Sequence, residues 1–230
     1  MDLSPFVDPP VIQTGSLVLL FGQSRSGKST WLTNLLVEHK HHFEHPIKQL
    51  VCIYQREDTD TIGVLKEKFA KNGTFVKHIP DDLEQWVVPQ SVIIFDDCEN
   101  LVQESKKNRK LLRDLATITC HHSGITVFFC FQTYGVFYAK NPLNAVLHQA
   151  TNLVLFRSMN NSYRSLKFWL NSYEMKLRNS CTLFDIFMDY VLAEQFNYIM
   201  INLYPNLSKP QVFAQILQSD RRPLLCFHEE

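Results

Sequence analysis

Continuous apolar runs alternate along this chain with stretches in which apolar residues recur at helical spacing. Ser16-Leu-Val-Leu-Leu-Phe21 is wholly apolar after its first residue and stops at a glycine, as a strand covered on both faces does. From Lys28 to about His39 the apolar positions Trp31, Leu32, Leu35 and Leu36 predict an amphipathic helix. Leu50–Tyr54, Ser91–Phe95, Ile125–Phe131 and Asn152–Phe156 predict four further buried strands, and Thr61 to Lys71 and Glu104 to Cys120 two further helices. Strands and helices in this alternation imply βαβ units and a mostly parallel sheet flanked by helices: an α/β fold. After about residue 160 the pattern changes, with a helix over Thr182–Glu194 leading into a strand at Tyr198–Ile201. The reading is one domain over residues 16–230, with 158–230 packed on the core as a helical and strand extension. The Pro-rich residues 1–15 form an extended lead-in.

Composition changes this picture little. The 230 residues are 45% hydrophobic and 20% charged, ordinary for a soluble globular protein. The formal net charge is zero, so nucleic acid, if bound, is met by a local patch or by an assembly that concentrates one face. The six cysteines, Cys52, Cys98, Cys120, Cys130, Cys181 and Cys226, have no paired spacing and read as small buried hydrophobes of a reducing compartment. Neither a secretory leader nor a membrane-spanning run is visible, so the expectation is an intracellular, soluble protein.

The chemistry lies at the ends of the strands. The first strand runs into Gly22-Gln23-Ser24-Arg25-Ser26-Gly27-Lys28-Ser29 and then a helix, the context that gives a G-x-x-x-x-G-K-[ST] loop its meaning. Gly22 and Gly27 allow backbone angles and close approaches that a side chain forbids. Successive N–H groups then turn toward a phosphate beside the positive end of the helix. Lys28 reaches the β- and γ-phosphates of ATP, and the Ser29 hydroxyl ligates Mg²⁺. Ser91-Val-Ile-Ile-Phe-Asp96-Asp97 has the Walker B form, an apolar strand ending in acids. Asp96 is read as holding the Mg²⁺ shell and Asp97 as the general base toward the attacking water. The strand ending at Phe131-Gln132 is placed between the two motif strands, in the additional-strand (ASCE, RecA-like) arrangement of P-loop NTPases. Gln132 at its tip either senses the γ-phosphate or positions water, or simply forms the turn.

Three further stretches carry a resemblance. Cys120-His121-His122 through Phe131-Gln132-Thr-Tyr-Gly-Val-Phe137 resembles the segment after Walker B in FtsK–HerA-type genome-packaging ATPases of DNA viruses. Polinton/Maverick and adintovirus ATPases, related to those of poxviruses, have there a paired histidine before an apolar strand ending in glutamine and an aromatic. Pro142-Leu-Asn144 to Phe156-Arg157 resembles their next strand. Phe196-Asn-Tyr198 to Pro205, with Arg221-Arg222 to Glu229, resembles their C-terminal strand and ending. The resemblance covers the chain from about residue 12 to its end. It implies an ATP-hydrolysing translocase that drives double-stranded viral DNA into a capsid. Its partners would be duplex DNA read without regard to sequence, further copies in a homo-oligomeric ring and the capsid or portal vertex protein, with no membrane. Its location would be the host cell, the nucleus above all, or the virion. Carried over by position, Gly22 to Thr30 bind the triphosphate, Asp96 and Asp97 serve Mg²⁺ and water, and Gln132 is the sensor. The sequence departs from the pattern at Ser123, where many relatives are basic. Arg113, then Arg157, is the substitute for an arginine finger reaching across the ring. Asn197 stands where relatives have glycine, and Arg25 where they have a small residue.

Lesser features have plain alternatives. His39, His41, His42 and His45 are dense but lack metal-site spacing and read as a solvated turn. His121 and His122 are expected near the nucleotide. Lys106, Lys107, Arg109 and Lys110 are either an exposed helix face or a patch for the DNA backbone. Two rival functions stay open: a nucleoside or polynucleotide kinase, and a nucleotide-gated oligomeric binding module with little hydrolysis.

Overall fold

The computed structural model describes residues 4–5, 12–38, 42–55, 59–137, 140–141, 143–158, 163–171, 182–204, 211–214 and 225–227. Among these, ten strands form one sheet in the order β1-β10-β9-β8-β7-β2-β6-β5-β3-β4. Six of them, β2 (Leu17–Phe21), β3 (Gln49–Tyr54), β4 (Gly73–Val76), β5 (Ser91–Asp96), β6 (Thr126–Phe131) and β7 (Asn152–Phe156), are mutually parallel. The antiparallel strand β8 (Tyr198–Asn202) joins β7, and β9 (Gln211–Ala214), β10 (Leu225–Phe227) and β1 (Ser4–Pro5) extend that side. The order 7-2-6-5-3 puts β6 between the Walker A strand β2 and the Walker B strand β5, as the sequence predicts.

Every residue of β2 and β6 is buried, because each face of the sheet has its own core. On one face Val18, Leu20, Leu50, Cys52 and Phe128 pack under α1 (Lys28–Val37) and α2 (Thr59–Lys68). On the other, Leu17, Leu19, Phe21, Val51, Ile53, Phe129 and Phe131 pack under the remaining helices. Phe21 and Phe131, neighbours in register, stack with ring centroids 4.9 Å apart.

The helix expected over Glu104–Cys120 is instead two helices, α3 (Glu99–Glu104) and α4 (Lys106–Asp114). Ser105 breaks them, being extended while its hydroxyl accepts from the Asn108 N–H at 3.2 Å; a serine offers the backbone this capping alternative to a continuous helix. α4 then passes through a π-type turn, Leu115–Thr119, into a last turn at Cys120–Ser123. There the Cys120 thiol donates to the Gly15 carbonyl at 3.1 Å. That contact lies at the N-terminal edge of β2, so His121 and His122, expected near the nucleotide, sit at the opposite edge of the sheet from the phosphate loop. Ser123 lies there with them.

Later come α5 (Asn144–Leu147), α6 (Tyr163–Asn171) and α7 (Leu183–Ile186). The helix expected over Thr182–Glu194 is α7 followed by a π-type turn, Phe187–Val191. His42 is buried and faces Glu38 across 3.8 Å, which corrects the reading of a solvated turn for that residue; His39 and His41 lie outside the described residues, and His45 is exposed. Among the described residues no group of side chains has the makings of a metal site of its own.

Candidate functional site

The parallel strands all end at one edge, and the predicted chemistry collects there. β2 delivers the chain into the phosphate loop, whose Gly22 N–H donates to the Phe131 carbonyl at 3.2 Å and whose Gln23 N–H donates to the Arg157 carbonyl at 3.3 Å. The loop is thus pinned to the ends of both neighbouring strands. Gly22 has no room for a side chain: a Cβ would fall 2.6 Å from Ser26 Oγ and 2.7 Å from Phe156 Cβ. Arg25 and Gly27 both have positive φ, 63° and 100°, just before α1 begins at Lys28. Ser24, Arg25 and Thr30 are exposed, whereas Ser26 is only 5% exposed and its Oγ has no hydrogen-bond partner.

Lys28 is 5% exposed, and its ammonium donates to the carbonyls of Gly22 at 2.5 Å and Gln23 at 2.9 Å. Burial pushes its pKa below the usual lysine value, while the fields of Cys130, Asp97, Asp96 and Glu99 pull it back up. A buried ammonium held by neutral carbonyls is poised to take an anion, since a phosphate offers the opposite charge that such partners lack.

Ser29 and Asp96 line the same narrow cleft between α1, α2 and the sheet, together with Thr33, Cys52, Thr61 and Ile94. The Thr61 hydroxyl there is buried without a partner. An orphaned loop hydroxyl, a glycine whose side chain would fill the cradle, and a hydroxyl–carboxylate pair sharing one cleft fit a Mg²⁺–triphosphate. The donor set is hard oxygen, which suits Mg²⁺.

Asp97 stands at the tip of β5 with φ 54°, a left-handed conformation costing about 1–2 kcal/mol for a non-glycine residue. Two contacts hold it. The Gln132 amide donates to Asp97 Oδ1 at 2.7 Å, and buried Cys98, next in the chain, donates its thiol to the carbonyls of Ile53 and Asp96 at 3.3 and 3.2 Å. Gln132 therefore touches the carboxylate and is more than a turn residue. Its own N–H donates to Glu99 Oε2 at 3.4 Å, so one residue bridges two acids with side chain and backbone. Glu99 was missed by sequence reasoning. Its signal is present in Asp96-Asp97-Cys98-Glu99, but an acid in the first turn of a helix reads as a favourable dipole contact.

Two arginines separate. Arg113 is exposed near the end of α4, beside Asp114 at 3.8 Å. It lies seven residues before Cys120, on the helical path that ends at the opposite edge of the sheet. Among the described residues it meets Asp114 and Thr117, not the groups of this site. Arg157 follows β7, and its carbonyl contacts the loop directly. The basic cluster on α4 is locally answered: Lys107 pairs with Asp81, and with Lys110 it lines an open pocket shared with Asp82, Glu84 and Asp114.

No family model and no curated protein matches the chain. Among solved structures it is similar to the cytoplasmic domain of EssC, with TM-score 0.45 and 13% identity over 68% of this chain and 33% of that one. It is also similar to a protein described as an ATPase, with TM-score 0.42 and 15% identity over 61% of this chain and 65% of that one. A protein from Pyrococcus horikoshii OT3 has TM-score 0.41 and 10% identity over 66% and 90%. The chain spans about a third of the first and just under two thirds of the second. Strand order and loop geometry make this an α/β P-loop NTPase fold of the additional-strand type.

Proposed function

We propose that this chain hydrolyses ATP with Mg²⁺ and couples the reaction to moving double-stranded DNA, as the ring-forming motor that packages a viral genome into a capsid. The observation that carries the reading is the convergence, at one sheet edge, of a buried lysine with neutral partners, a Ser29–Asp96 cleft and an Asp97 carboxylate held by Gln132. The resemblance of the sequence around Gln132 and Tyr198 to packaging ATPases supplies the DNA, the ring and the capsid vertex.

Each residue then has a task. Lys28 exchanges the Gly22 and Gln23 carbonyls for phosphate oxygens, and the loop amides with Ser26 Oγ satisfy the rest. Ser29 and Asp96 would hold Mg²⁺, which would supply positive charge against the phosphates. Asp97 accepts the proton of the attacking water, and Gln132 fixes the direction in which that carboxylate points; general-base assistance of this kind contributes about 10²–10⁴-fold. Arg113 lies outside the site of its own subunit, so as an arginine finger it serves a neighbouring copy in the ring.

ATP turnover with and without duplex DNA, for the wild type and Lys28→Ala, tests the proposal. DNA-stimulated hydrolysis in the wild type and its loss in the variant are expected, and equal activity in both removes the claim. Nucleotide binding without turnover, even on DNA, would replace the motor with a nucleotide-gated binding module. Transfer of labelled phosphate to a nucleoside would replace it with a kinase.

A further inference from the structure

Immediately before β8 the chain makes a turn whose residue Phe196 is 58% exposed and has φ 71°. Both properties are costly. A bulky aromatic in the left-handed region is strained, and its ring leaves apolar surface in water. The surroundings hold the turn in place. Asn197 is buried and its amide donates to the Tyr190 carbonyl at 3.0 Å, while Tyr198 pairs in register with Phe156 at the end of β7. Tyr198, two residues on, belongs to an aromatic cluster with Trp31 and Phe156, whose rings lie 5.2–6.5 Å apart. Its exposed ring reaches the phosphate loop: a Cβ on Gly27 would meet Phe196 Cδ1 at 3.3 Å.

The strand order says which part of a nucleotide this ring faces. The groups that would act on the terminal phosphate, Asp96, Asp97 and Gln132, end β5 and β6 on one side of β2. Phe196 stands on the other side, over β7 and β8. A triphosphate laid across the loop with its γ end toward β6 and β5 carries its ribose and base away from them, toward β7 and β8. We infer that Phe196 is the stacking platform for the base of the bound nucleoside triphosphate, held at the lip of the phosphate loop by the Asn197 clamp. This rests on the reading of the loop as a triphosphate site. Stacking on a single ring is tolerant of base identity, so this contact supplies affinity and orientation with little discrimination between bases.

Calorimetric titration of the wild type, Phe196→Ala and Phe196→Leu with Mg²⁺–ATP and with Mg²⁺–tripolyphosphate, which has no base, tests the inference. Leucine keeps apolar cover over Gly27 but removes the ring. Both variants should lose about 5- to 100-fold in ATP affinity, in line with base–aromatic stacking, and keep wild-type affinity for tripolyphosphate. Unchanged ATP affinity, or equal losses for both ligands, overturns the inference, the second because Phe196 would then only shape the loop. If the wild type binds neither ligand, the triphosphate reading itself fails, a different result from either. Phe196→Trp guards against misfolded variants. Its added fluorescence, over that of the wild type, should respond to ATP and ignore tripolyphosphate, and a response to both or to neither overturns the platform.

Discussion

The two edges of the parallel sheet are built to opposite standards. At the N-terminal edge, Ser16 Oγ donates to the Gln13 carbonyl and shares a 2.5 Å hydrogen bond with Tyr204 OH, which also accepts from the Gln13 N–H at 2.8 Å. Thr151 Oγ1 accepts from the Leu17 N–H and donates back to the Leu17 carbonyl. Even the strained residue there is tied on both sides: Gln90, with φ 69°, donates its N–H to Gly124 and accepts from Lys48. The C-terminal edge carries Arg25, Asp97 and Phe196 at positive φ and buried hydroxyls of Ser26, Thr61 and Ser158 without partners, against Gln90 and the orphaned amide nitrogen of Asn152 at the other edge. Strain and unmet polar groups cost stability. Their concentration on the edge that holds the phosphate loop marks the part of the molecule left incomplete for a ligand, while the other edge closes the fold.

The largest effect that tests this contrast is on the reaction. Asp97→Asn keeps a side chain that tolerates positive φ and still offers Gln132 an acceptor, but it takes no proton. Hydrolysis should fall by about 10²–10³-fold, with Mg²⁺–ATP affinity and thermal midpoint near those of the wild type. A comparable fall in midpoint would mean that Asp97 holds the fold, as residues at the opposite edge do.

Tyr204→Phe is the converse at the closing edge. It strips the hydroxyl from Ser16 and Gln13 and leaves buried partners unsatisfied, for a loss of about 1–3 kcal/mol, or about 2–4 °C in Tm for each kcal/mol. Nucleotide affinity should not move. If affinity falls with stability, the edges are coupled through β2 and the division above is too sharp.

Much of the phosphate-loop edge is legible in the sequence because buried parallel strands advertise themselves. β2, β5 and β6 are unbroken apolar runs, and the residues just past the end of each run necessarily lie at one edge. That logic finds the phosphate loop, Asp96, Asp97 and Gln132. It fails where the signal is short or depends on distance. β4 is four half-buried residues, Gly73-Thr-Phe-Val76, too few and too exposed to stand out. His121 and His122 were misplaced because the helical path after Ser105 runs the full depth of the sheet, and their nearness in sequence to β6 says nothing about which end of β6 they precede. Phe196 is one of 17 phenylalanines. Only its backbone angle and its contact with Gly27 distinguish it.

Gln90→Gly separates strain that serves a ligand from strain that does not. The left-handed conformation of Gln90 costs about 1–2 kcal/mol, partly offset in the variant by glycine's extra entropy of about 0.5–1 kcal/mol in the unfolded chain. Stability should rise by up to about 1.5 kcal/mol with binding and turnover unchanged. Reduced ATP affinity in this variant would show that strain at the closing edge also serves the site.

The smallest expected effect concerns the helical cover of the antiparallel half. At the start of α7, Thr182 Oγ1 accepts from the Asp185 N–H at 3.2 Å, and Asp185 Oδ2 accepts from the Thr182 N–H and hydroxyl at 2.8 Å each. These Thr182 donors, backbone first, hold the Asp185 carboxyl below the usual carboxylate value. A carboxylate whose pKa is depressed on folding stabilises the fold above its unfolded value of about 4 and loses that contribution as pH falls through the lower folded value. Asp185 is exposed, so solvent screens the effect to a few tenths of a kcal/mol. Asp185→Asn should therefore be slightly less stable than the wild type at pH 7, and the gap should close in acid, below the folded pKa. Thr182→Ala should cost about 0.5–1 kcal/mol, as the loss of a capping hydroxyl does. Chemical denaturation of all three proteins at pH 7 and in acid reads this directly. A gap between Asp185→Asn and the wild type that stays constant with pH would show that the side chain acts by shape and not by charge. Leu183, Ile186 and Phe187 share one core with Ile199 and Ile201 of β8, so a change in nucleotide affinity in either variant would trace a path from that cover through β8 to the Phe196 turn.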